Sequence, residues 1–314
     1  MSKNNHWTID NIPDQSGRIA IVTGANSGIG YETARALAYK GATVIMACRC
    51  PEKGPAAARQ IEAENLAGTV EFMALDLAEM DSVQQFAATF SQKYDRLDLL
   101  INNAGVMMLP KRQETPDGYE KQFATNHLGH FALTGLLIET VASTPGARVI
   151  NISSTAARMG RVNFDDLNAK QAYSPTAAYG QSKVANLLFT YELGRRLAAA
   201  GVDTLVVAAH PGWTTTNLQQ HSALRFLNPL FAQGPEMGAL PTLYAATAPE
   251  AKGGAYYGPE GFMQMRGYPV EVSATERSRD PVDAQKLWTI SEQLTGVRFL
   301  SEKEAQTQQQ LSAF

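Results

Sequence analysis

Short apolar runs that alternate with helical stretches are the feature that most restricts the fold of this chain. The apolar runs have the length of buried strands and cover residues 18–25, 42–49, 69–77, 97–105, 147–154 and 203–212, with a short last run at 254–258. Helical stretches fill most of the intervals, approximately over residues 29–40, 51–66, 82–94, 119–142 and 177–199. Buried strands joined by helices form a parallel sheet covered on both faces. The pattern therefore predicts an α/β fold with one doubly wound parallel sheet.

The alternation continues without a linker or a repeat from Arg18 to Gly258, which indicates one domain. Of the 314 residues, 44% are hydrophobic and 18% are charged, a composition that can bury a sizeable core. We therefore expect a polar N-terminal segment at 1–17, a single domain at 18–300 and a polar C-terminal tail at 301–314.

Charge and hydropathy argue against nucleic-acid binding and against a membrane-spanning chain. The formal net charge is -3 and no basic run is present, so we expect no nucleic-acid partner. No apolar run reaches the roughly 18 residues of a membrane helix, and the first residues lack the apolar segment of a signal peptide. These observations predict a cytoplasmic protein without a transmembrane segment.

The two cysteines, Cys48 and Cys50, flank a single arginine. Such close neighbours rarely form a disulfide, and without a nearby histidine they make a weak metal site. We expect two reduced thiols and no bound metal.

A glycine-rich turn, TGANSGIG at 23–30, follows the first strand and opens the first helix. Gly24, Gly28 and Gly30 permit a tight turn and a close approach of the backbone to a pyrophosphate, whose charge is favourable at a helix N-terminus. Glycine is common in loops, but here the strand and the helix lie where a phosphate-binding turn needs them. The sequence therefore predicts a Rossmann-type domain that binds a dinucleotide.

The end of the second strand indicates which dinucleotide is bound. A carboxylate there would accept a hydrogen bond from a ribose 2'-hydroxyl, but this chain has Cys48 followed by Arg49. Because an arginine can bind a 2'-phosphate with two hydrogen bonds, we expect NADP(H) rather than NAD(H). The alternative is a solvated arginine at a strand end. Lys53 could assist, although surface charge is its simpler interpretation.

With these motifs, nearly the whole chain resembles the short-chain dehydrogenase/reductase family. TGANSGIG is similar to the cofactor loop of that family, Asp76-Leu77 to its adenine-side motif, NNAG at 102–105 to the motif beside the adenosine, and HPGWTTT at 210–216 to the segment that covers the nicotinamide. The resemblance implies that the cofactor is bound by Gly24, Ser27, Gly28, Ile29, Gly30, Arg49, Asp76, Leu77, Asn103, Ala104, Gly105, Tyr179, Lys183, Pro211, Gly212, Thr214 and Thr216. It also implies a catalytic tetrad formed by Asn126, Ser154, Tyr179 and Lys183.

A narrower resemblance is to the retinol dehydrogenase branch, which includes relatives of the WW-domain-containing oxidoreductase and protochlorophyllide reductase. It rests on ACR at 47–49, NHLGHF at 126–131, FDDLN at 164–168, YGQSKVANLLFTYEL at 179–193 and LWTISEQLTG at 287–296. This chain lacks the apolar N-terminal anchor of the membrane retinol dehydrogenases. It also has Ser154 where protochlorophyllide reductases usually have threonine, and it lacks their lid cysteine. We therefore do not assign the substrate of either group to this chain.

Tyr179 and Lys183 are four residues apart and share one face of a predicted helix. Hydride transfer to a carbonyl leaves an alkoxide that needs a proton, and a phenol can supply it if its pKa falls below the usual value of about 10. The charges of Lys183 and NADP⁺ both favour the phenolate. We expect Tyr179 to be the general acid in reduction and the base in oxidation, with Ser154 binding the substrate oxygen.

Several nearby polar residues have simpler interpretations. Ser153 could be the active hydroxyl, but strand alternation turns it away from the site and the family pattern favours Ser154. We interpret His127 and His130 as packing or hydrogen-bonding residues, and His210 as a backbone partner before a Pro-Gly turn. Tyr173 and Tyr191 lack a lysine four residues later and are predicted to be structural. Asn126 is expected to hold a water next to Lys183.

The substrate side is less defined by the sequence. Residues 213–235 contain many apolar side chains and are predicted to form a lid over the nicotinamide, which suits a small hydrophobic aldehyde, ketone or alcohol. Helix packing, membrane contact or subunit contact are the alternatives for this segment. Met107 and Met108 are candidate pocket residues. Ser154 and Tyr179 are 25 positions apart (179 − 154), and the extra residues form an insert predicted to help select the substrate.

The sequence therefore predicts an NADP(H)-dependent oxidoreductase that acts on CH-OH or C=O groups, as a monomer or a homodimer. A non-catalytic NADP(H)-binding regulator is the alternative, although such proteins commonly lose tetrad residues. A sugar epimerase or dehydratase is a further option, but the chain is short for the substrate domain that such enzymes carry.

Overall fold

The computed structural model describes residues 6–215 and 232–300. Within these ranges, eight strands form one sheet in the order β3-β2-β1-β4-β5-β6-β7-β8. The strands are β1 (Ile19–Thr23), β2 (Thr43–Cys48), β3 (Thr69–Ala74), β4 (Leu99–Asn102), β5 (Arg148–Ile152), β6 (Leu205–Ala209), β7 (Tyr256–Pro259) and β8 (Pro269–Glu271). Neighbouring strands from β3 to β7 pair in parallel, and β8 pairs antiparallel with β7. The predicted Rossmann-type doubly wound fold is confirmed.

The helices cover both faces of the sheet. They are α1 (Gly28–Tyr39), α2 (Lys53–Glu62), α3 (Met80–Lys93), the single turn α4 (Lys121–Phe123), α5 (Gly129–Ser143), α6 (Pro175–Ala199), α7 (Pro235–Thr247) and α8 (Pro281–Thr295). Strand β1 shows how the two faces are separated. Ala20 and Val22 pack in the core formed with α1, α2 and α7, whereas Ile21 packs in the core formed with α3, α5, α6 and α8.

The structure corrects several predicted boundaries. The strands end earlier than the apolar runs, because residues such as those at 103–105 and 153–154 leave the sheet to form loops. The predicted helix at 119–142 is interrupted by π-helical turns at Ala124–Leu128. Helix α6 begins at Pro175 rather than near residue 177, with Ser174 as its N-cap. The sequence interpretation did not include β8, α7 or α8.

The N-terminal segment is packed on the domain where it is described. Its short 3₁₀ turn at Ile9–Asn11 carries a capping box with Thr8. The Trp7 ring makes an edge contact with Tyr244 of α7, with ring centroids 5.3 Å apart. Within 6–215 and 232–300, no helix is long and apolar enough to cross a membrane.

Candidate active site

The glycine turn lies between the end of β1 and the start of α1, at the carboxyl edge of the sheet. Gly24 and Gly28 have φ values of 69° and 58°, a region that disfavours other residues. A Cβ on Gly30 would lie 2.6 Å from both the Gly24 carbonyl oxygen and Asn103 Nδ2. The side chain of Ser27, the N-cap of α1, makes no capping hydrogen bond. The turn thus presents the N-terminus of α1 to a ligand, as a phosphate site requires.

A cavity of about 300 Å³ opens beside this turn. Fourteen of the residues predicted to bind the cofactor line it, namely Gly24, Ser27, Gly28, Ile29, Gly30, Arg49, Asp76, Leu77, Asn103, Ala104, Gly105, Tyr179, Lys183 and Pro211. The lining also includes residues that were not predicted, among them Asn26, Val106 and Thr125. Each is next in sequence to a predicted site residue, in the turn, in the loop after β4 or in the π-helical segment. The motifs do not mark these three residues, and their place in the lining follows from the backbone conformation. The residues present fit a dinucleotide with its pyrophosphate at the start of α1.

Where β2 and β3 end, the cavity is lined by one arginine and one aspartate. Arg49 Nε lies 3.7 Å from Asp76 Oδ2, and the arginine side chain is 61% exposed. An exposed ion pair at this distance is weak, so the guanidinium can leave it to bind a phosphate. Asp76 also accepts a hydrogen bond from the Ala78 backbone N–H at 2.9 Å, which orients its carboxylate.

The NNAG turn is attached to β1 through Thr23. The backbone N–H groups of Asn103 and Ala104 both donate to Thr23 Oγ1 at 2.9 Å. Asn103 Nδ2 donates to the Thr23 carbonyl at 2.8 Å. These bonds hold the loop after β4 against the glycine turn, where a Cβ on Gly24 would lie 3.0 Å from the Ala104 Cα.

Tyr179 and Lys183 lie together on the buried face of α6, as the four-residue spacing predicts. Their exposed fractions are 8% and 4%, and Lys183 Nζ is 5.7 Å from the Tyr179 ring centroid. Lys183 Nζ donates to the Ile152 carbonyl at 3.0 Å, which ties it to the end of β5. Burial lowers the pKa of Lys183 to about 8.

Burial raises the pKa of Tyr179, and a hydrogen bond with Ser154 partly offsets this effect. In the protein without cofactor, the net effect is that the pKa of Tyr179 lies above its ordinary value. The sequence predicts a lowered value once the charges of Lys183 and the cofactor act together. A neutral phenol is the form that can donate a proton.

The two serines after β5 have different partners. Ser153 Oγ donates to the Lys183 carbonyl at 2.8 Å, so this hydroxyl is engaged with the backbone of α6. Ser154 caps a 3₁₀ turn and accepts from the Ala156 N–H at 3.2 Å, and its hydroxyl also interacts with Tyr179. This arrangement favours Ser154 as the hydroxyl next to the phenol, although Ser153 is the serine that lines the cofactor cavity.

Asn126 lies in the π-helical segment and contacts the loop after β4. Its Oδ1 accepts from the Val106 N–H at 2.7 Å, and its Nδ2 donates to the Val106 carbonyl and to Ser182 Oγ, both at 2.9 Å. A Cβ on Gly105 would lie 3.0 Å from Asn126 Oδ1 and 3.6 Å from Lys183 Nζ. The predicted tetrad residues are therefore close together, but the Asn126 amide is occupied by protein partners.

The loop after β6 is held from several directions. The Gly212 N–H donates to His210 Nδ1 at 3.2 Å, and His210 Nε2 lies 3.1 Å from Gln264 Oε1. The predicted role of His210 as a backbone partner is thus what the structure shows. Thr214 is buried and donates its hydroxyl to the Pro211 carbonyl at 2.8 Å, and Gly212 has a φ of 66°.

The ends of the predicted lid at 213–235 are paired with each other. The Thr215 N–H donates to the Gln233 carbonyl at 3.1 Å, and the Gln233 N–H donates to the Trp213 carbonyl at 2.9 Å. Thr216 and the rest of the segment up to residue 231 lie outside the described residues. The structure therefore describes only the two ends of the predicted lid.

A second cavity, of about 510 Å³, lies between the insert and the start of α6. Met108, Ala156, Met159 and Ala178 contribute to its lining, whereas Met107 does not. Gln181 ties the insert to α6: its Oε1 accepts from the Asn163 N–H and its Nε2 donates to the Leu167 carbonyl, both at 2.9 Å.

The fold and the site are those of a dinucleotide-dependent oxidoreductase, and comparisons with known proteins identify the family. A family model described as short chain dehydrogenase matches residues 18–225. The chain belongs to this short-chain dehydrogenase family of oxidoreductases. Within it, the similarity lies in the retinol dehydrogenase branch.

Two human relatives illustrate this branch. Retinol dehydrogenase 13 of Homo sapiens is 42% identical over 301 residues, which cover 92% of this chain and 87% of the relative. Polyprenol dehydrogenase of Homo sapiens is 40% identical over 296 residues, which cover 91% and 87%.

Solved structures agree with the fold. An uncharacterised protein from Mycobacterium paratuberculosis is 44% identical, with a TM-score of 0.79 over 94% of this chain and 99% of that chain. The Pseudomonas aeruginosa RhlG/NADP active-site complex is 26% identical, with a TM-score of 0.64 over 77% of this chain and 94% of that chain.

Proposed function

We propose that this oxidoreductase uses NADP(H) to interconvert a small hydrophobic alcohol and the corresponding aldehyde or ketone. The supporting observation is the burial of Tyr179 and Lys183 side by side in the wall of the dinucleotide cavity, with Ser154 next to the phenol. This group lies at the carboxyl edge of the sheet, where ligands bind in open α/β folds.

The nicotinamide, when bound, supplies a hydride to the carbonyl carbon or accepts one from the alcohol carbon. In the direction of reduction, Tyr179 donates its hydroxyl proton to the substrate oxygen, and in oxidation it takes that proton back. Ser154 donates a hydrogen bond to the same oxygen and stabilises the charge that develops there. Lys183 is a buried cation beside Tyr179 and stabilises the phenolate that forms.

Tyr179→Phe tests this mechanism directly. The substitution removes the proton donor and keeps the ring, so we expect loss of NADPH oxidation across a panel of hydrophobic aldehydes and ketones, with the Kd for NADPH unchanged. Tyr191→Phe is the matched control, because Tyr191 lies on the same helix but its hydroxyl contacts Arg279 at 3.3 Å. Turnover by the Tyr179 variant at the wild-type rate would reject the mechanism. A wild-type protein that binds NADPH but reduces no carbonyl would favour the non-catalytic regulator.

The preference for NADP(H) rests on Arg49 at the end of β2. Arg49→Ala is expected to raise the Kd for NADPH about tenfold and to leave the Kd for NADH within about twofold, since a charge-assisted bond to phosphate is lost. Arg59→Ala, an exposed arginine of α2, controls for the loss of one positive charge. Equal changes in the two dissociation constants would show that Arg49 does not select the cofactor.

We further propose that the insert between Ser154 and Tyr179 helps to select the substrate. Its cavity is formed largely by small and apolar side chains next to the start of the catalytic helix. Gln181→Leu removes both bonds that hold the insert to α6, so we expect a changed ranking of carbonyl substrates with the Kd for NADPH retained. An unchanged ranking would argue against the insert.

A cytoplasmic location and a monomeric or homodimeric state remain predictions. Cell fractionation of the untagged protein tests the location, and sedimentation at several concentrations tests the assembly. A larger stable oligomer or a stable membrane fraction would contradict these predictions.

A further inference from the structure

His130 of α5 is fully enclosed between two parts of the site that are far apart in sequence. Its exposed fraction is 2%. His130 Nε2 lies 2.9 Å from Thr23 Oγ1, the atom that accepts from the NNAG turn. His130 Nδ1 lies 3.0 Å from the backbone carbonyl oxygen of Asn126. Of the two sequence interpretations of His130, packing or hydrogen bonding, the polar partners on both ring nitrogens favour hydrogen bonding.

The partners determine which nitrogen carries the proton. Thr23 Oγ1 already accepts hydrogen bonds from the Asn103 and Ala104 N–H groups, which occupy its two lone pairs. Its own hydrogen therefore points to His130 Nε2 at 2.9 Å, in preference to the Ile101 carbonyl at 3.4 Å. The Asn126 carbonyl can only accept, so Nδ1 must donate. These partners suit a neutral ring that is protonated at Nδ1.

We propose that His130 is a positioning residue, a neutral Nδ1–H imidazole that couples the NNAG turn to Asn126. This proposal rests on the proposed function, because it assigns the two connected regions to cofactor binding and to catalysis. On one side, the ring accepts from Thr23 and so fixes the hydroxyl that holds Asn103 and Ala104. On the other side, it donates to the backbone of Asn126.

The effect of His130 continues from Asn126 to the catalytic helix. Asn126 Nδ2 donates to Ser182 Oγ at 2.9 Å, and Ser182 Oγ donates to the Tyr179 carbonyl at 2.8 Å. Asn126 lies in the π-helical turns at Ala124–Leu128, which depart from α-helical geometry, and the His130 ring contacts the Asn126 carbonyl within them. His130 acts through these neighbours and contacts no reacting atom.

The surroundings keep the ring neutral. Burial lowers the pKa of His130 to about 4, the bond to Asn126 opposes this, and the charge of Lys183 adds to the lowering. His127, one turn earlier, is the other titratable group that faces it. A second proton would place an N–H against Thr23 Oγ1, which has no lone pair left to accept it.

The tautomer is measured without reference to activity. Nitrogen-15 NMR of the histidine-labelled full chain, with resonances assigned by single substitutions, should show His130 as the neutral Nδ1–H form between pH 5 and pH 8. The Nε2–H form, or a charged ring above pH 6, would overturn the proposal. This measurement stands even if the protein reduces no carbonyl in any assay.

Two substitutions separate the two contacts. His130→Asn places an amide near the Nδ1 position and keeps the donor to Asn126, so we expect the Kd for NADPH to rise about fivefold with kcat little changed. His130→Gln places its amide near the Nε2 position and keeps the contact with Thr23, so we expect kcat to fall about tenfold with the Kd little changed.

His127→Gln is the matched control on the same helical stretch. His127 is equally buried, and its Nε2 contacts Ser291 of α8 at 2.9 Å rather than the site. We expect this variant to lower the Tm without changing the Kd or kcat. If both His130 variants lower only the Tm, as this control does, or change the Kd and kcat in equal proportion, the role is structural and the proposal fails. If the wild type shows no turnover, the proposed function fails. The NADPH dissociation constants of the variants and the tautomer of His130 still test whether His130 is a positioning residue.

Discussion

The meaning of Tyr179 and Lys183 comes from their surroundings rather than from their four-residue spacing. The spacing places them on one face of a helix, but many pairs of surface residues have the same spacing. Burial of both residues, the bond from Lys183 to the Ile152 carbonyl and the Ser154 hydroxyl beside the phenol distinguish this pair. The sequence could name the four tetrad residues by resemblance, but it could not show that Asn126 is bound to Val106 and Ser182.

The buried ammonium of Lys183 has a measurable consequence for stability. Its pKa falls from 10.5 to about 8 on folding because burial disfavours the charged form. Below pH 8 the folded protein buries a charge, and between pH 8 and 10.5 only the unfolded chain stays protonated. Folding therefore gains stability from this group as the pH rises.

Lys183→Met removes that dependence. Relative to this variant, the wild type should gain about 2 to 3 kcal/mol of unfolding free energy between pH 7.5 and pH 10.5. Denaturant unfolding of both proteins at several pH values measures the difference, and other titrating groups cancel because both chains contain them. A difference that stays constant, or decreases with pH, would contradict the lowered pKa.

At the scale of elements, the turn between β1 and α1 is the part that sequence describes best. Its geometry is local: two glycines with positive φ and a third with no room for a Cβ. The interruption at Ala124–Leu128 was missed, whereas the start of α6 could have been placed from Ser174 and Pro175, an N-cap residue followed by a proline at the first helical position. Helical composition continues through the π-helical turns, so no local pattern marks them.

A Cβ at Gly30 is expected to disrupt the turn. In Gly30→Ala the new atom would lie 2.6 Å from the Gly24 carbonyl, so the backbone must shift, and we expect the Kd for NADPH to rise at least tenfold. Titration of intrinsic fluorescence with NADPH measures this. Gly194→Ala in the C-terminal part of α6 is the control, because its Cβ would meet nothing closer than Val206 at 3.8 Å. The control should gain up to about 1 kcal/mol of stability and bind NADPH normally. Equal binding by both variants would argue against the turn as the phosphate site.

At the scale of the whole molecule, the sheet separates the hydrophobic core on one face from that on the other, and α8, the last helix that the structure describes, packs into the core with α5 and α6. Trp288 of α8 packs with Phe131 of α5 and Phe299, with ring centroids 5.1 Å and 4.6 Å apart. The Arg196 guanidinium lies 4.3 Å from the indole ring and Trp288 Nε1 donates to Glu292 Oε1. The family model ends at residue 225, so this helix belongs to the remaining part of the chain that stabilises the catalytic domain.

Trp288→Ala should therefore destabilise the entire domain. The side chain is 2% exposed, and removing a buried tryptophan costs about 3 to 5 kcal/mol. Denaturant unfolding at pH 7.5 measures the loss. Tyr39→Ala, an exposed aromatic residue of α1, should change stability by less than about 0.5 kcal/mol. A similar small effect of both substitutions would mean that α8 is not coupled to the core.

The sequence by itself determined the class of fold, the glycine turn and the placement of Tyr179 and Lys183 on one helix face, because periodicity, glycine conformation and helical spacing are local properties. The full tetrad stays a prediction from the family resemblance. The tertiary structure alone decided the partners of those residues. It brought Thr23, His130 and Asn126 into one hydrogen-bonded chain, separated the environments of Ser153 and Ser154, and joined the ends of the predicted lid. Such contacts join residues far apart in the chain, and a buried polar group takes whichever partner the packed backbone places within reach.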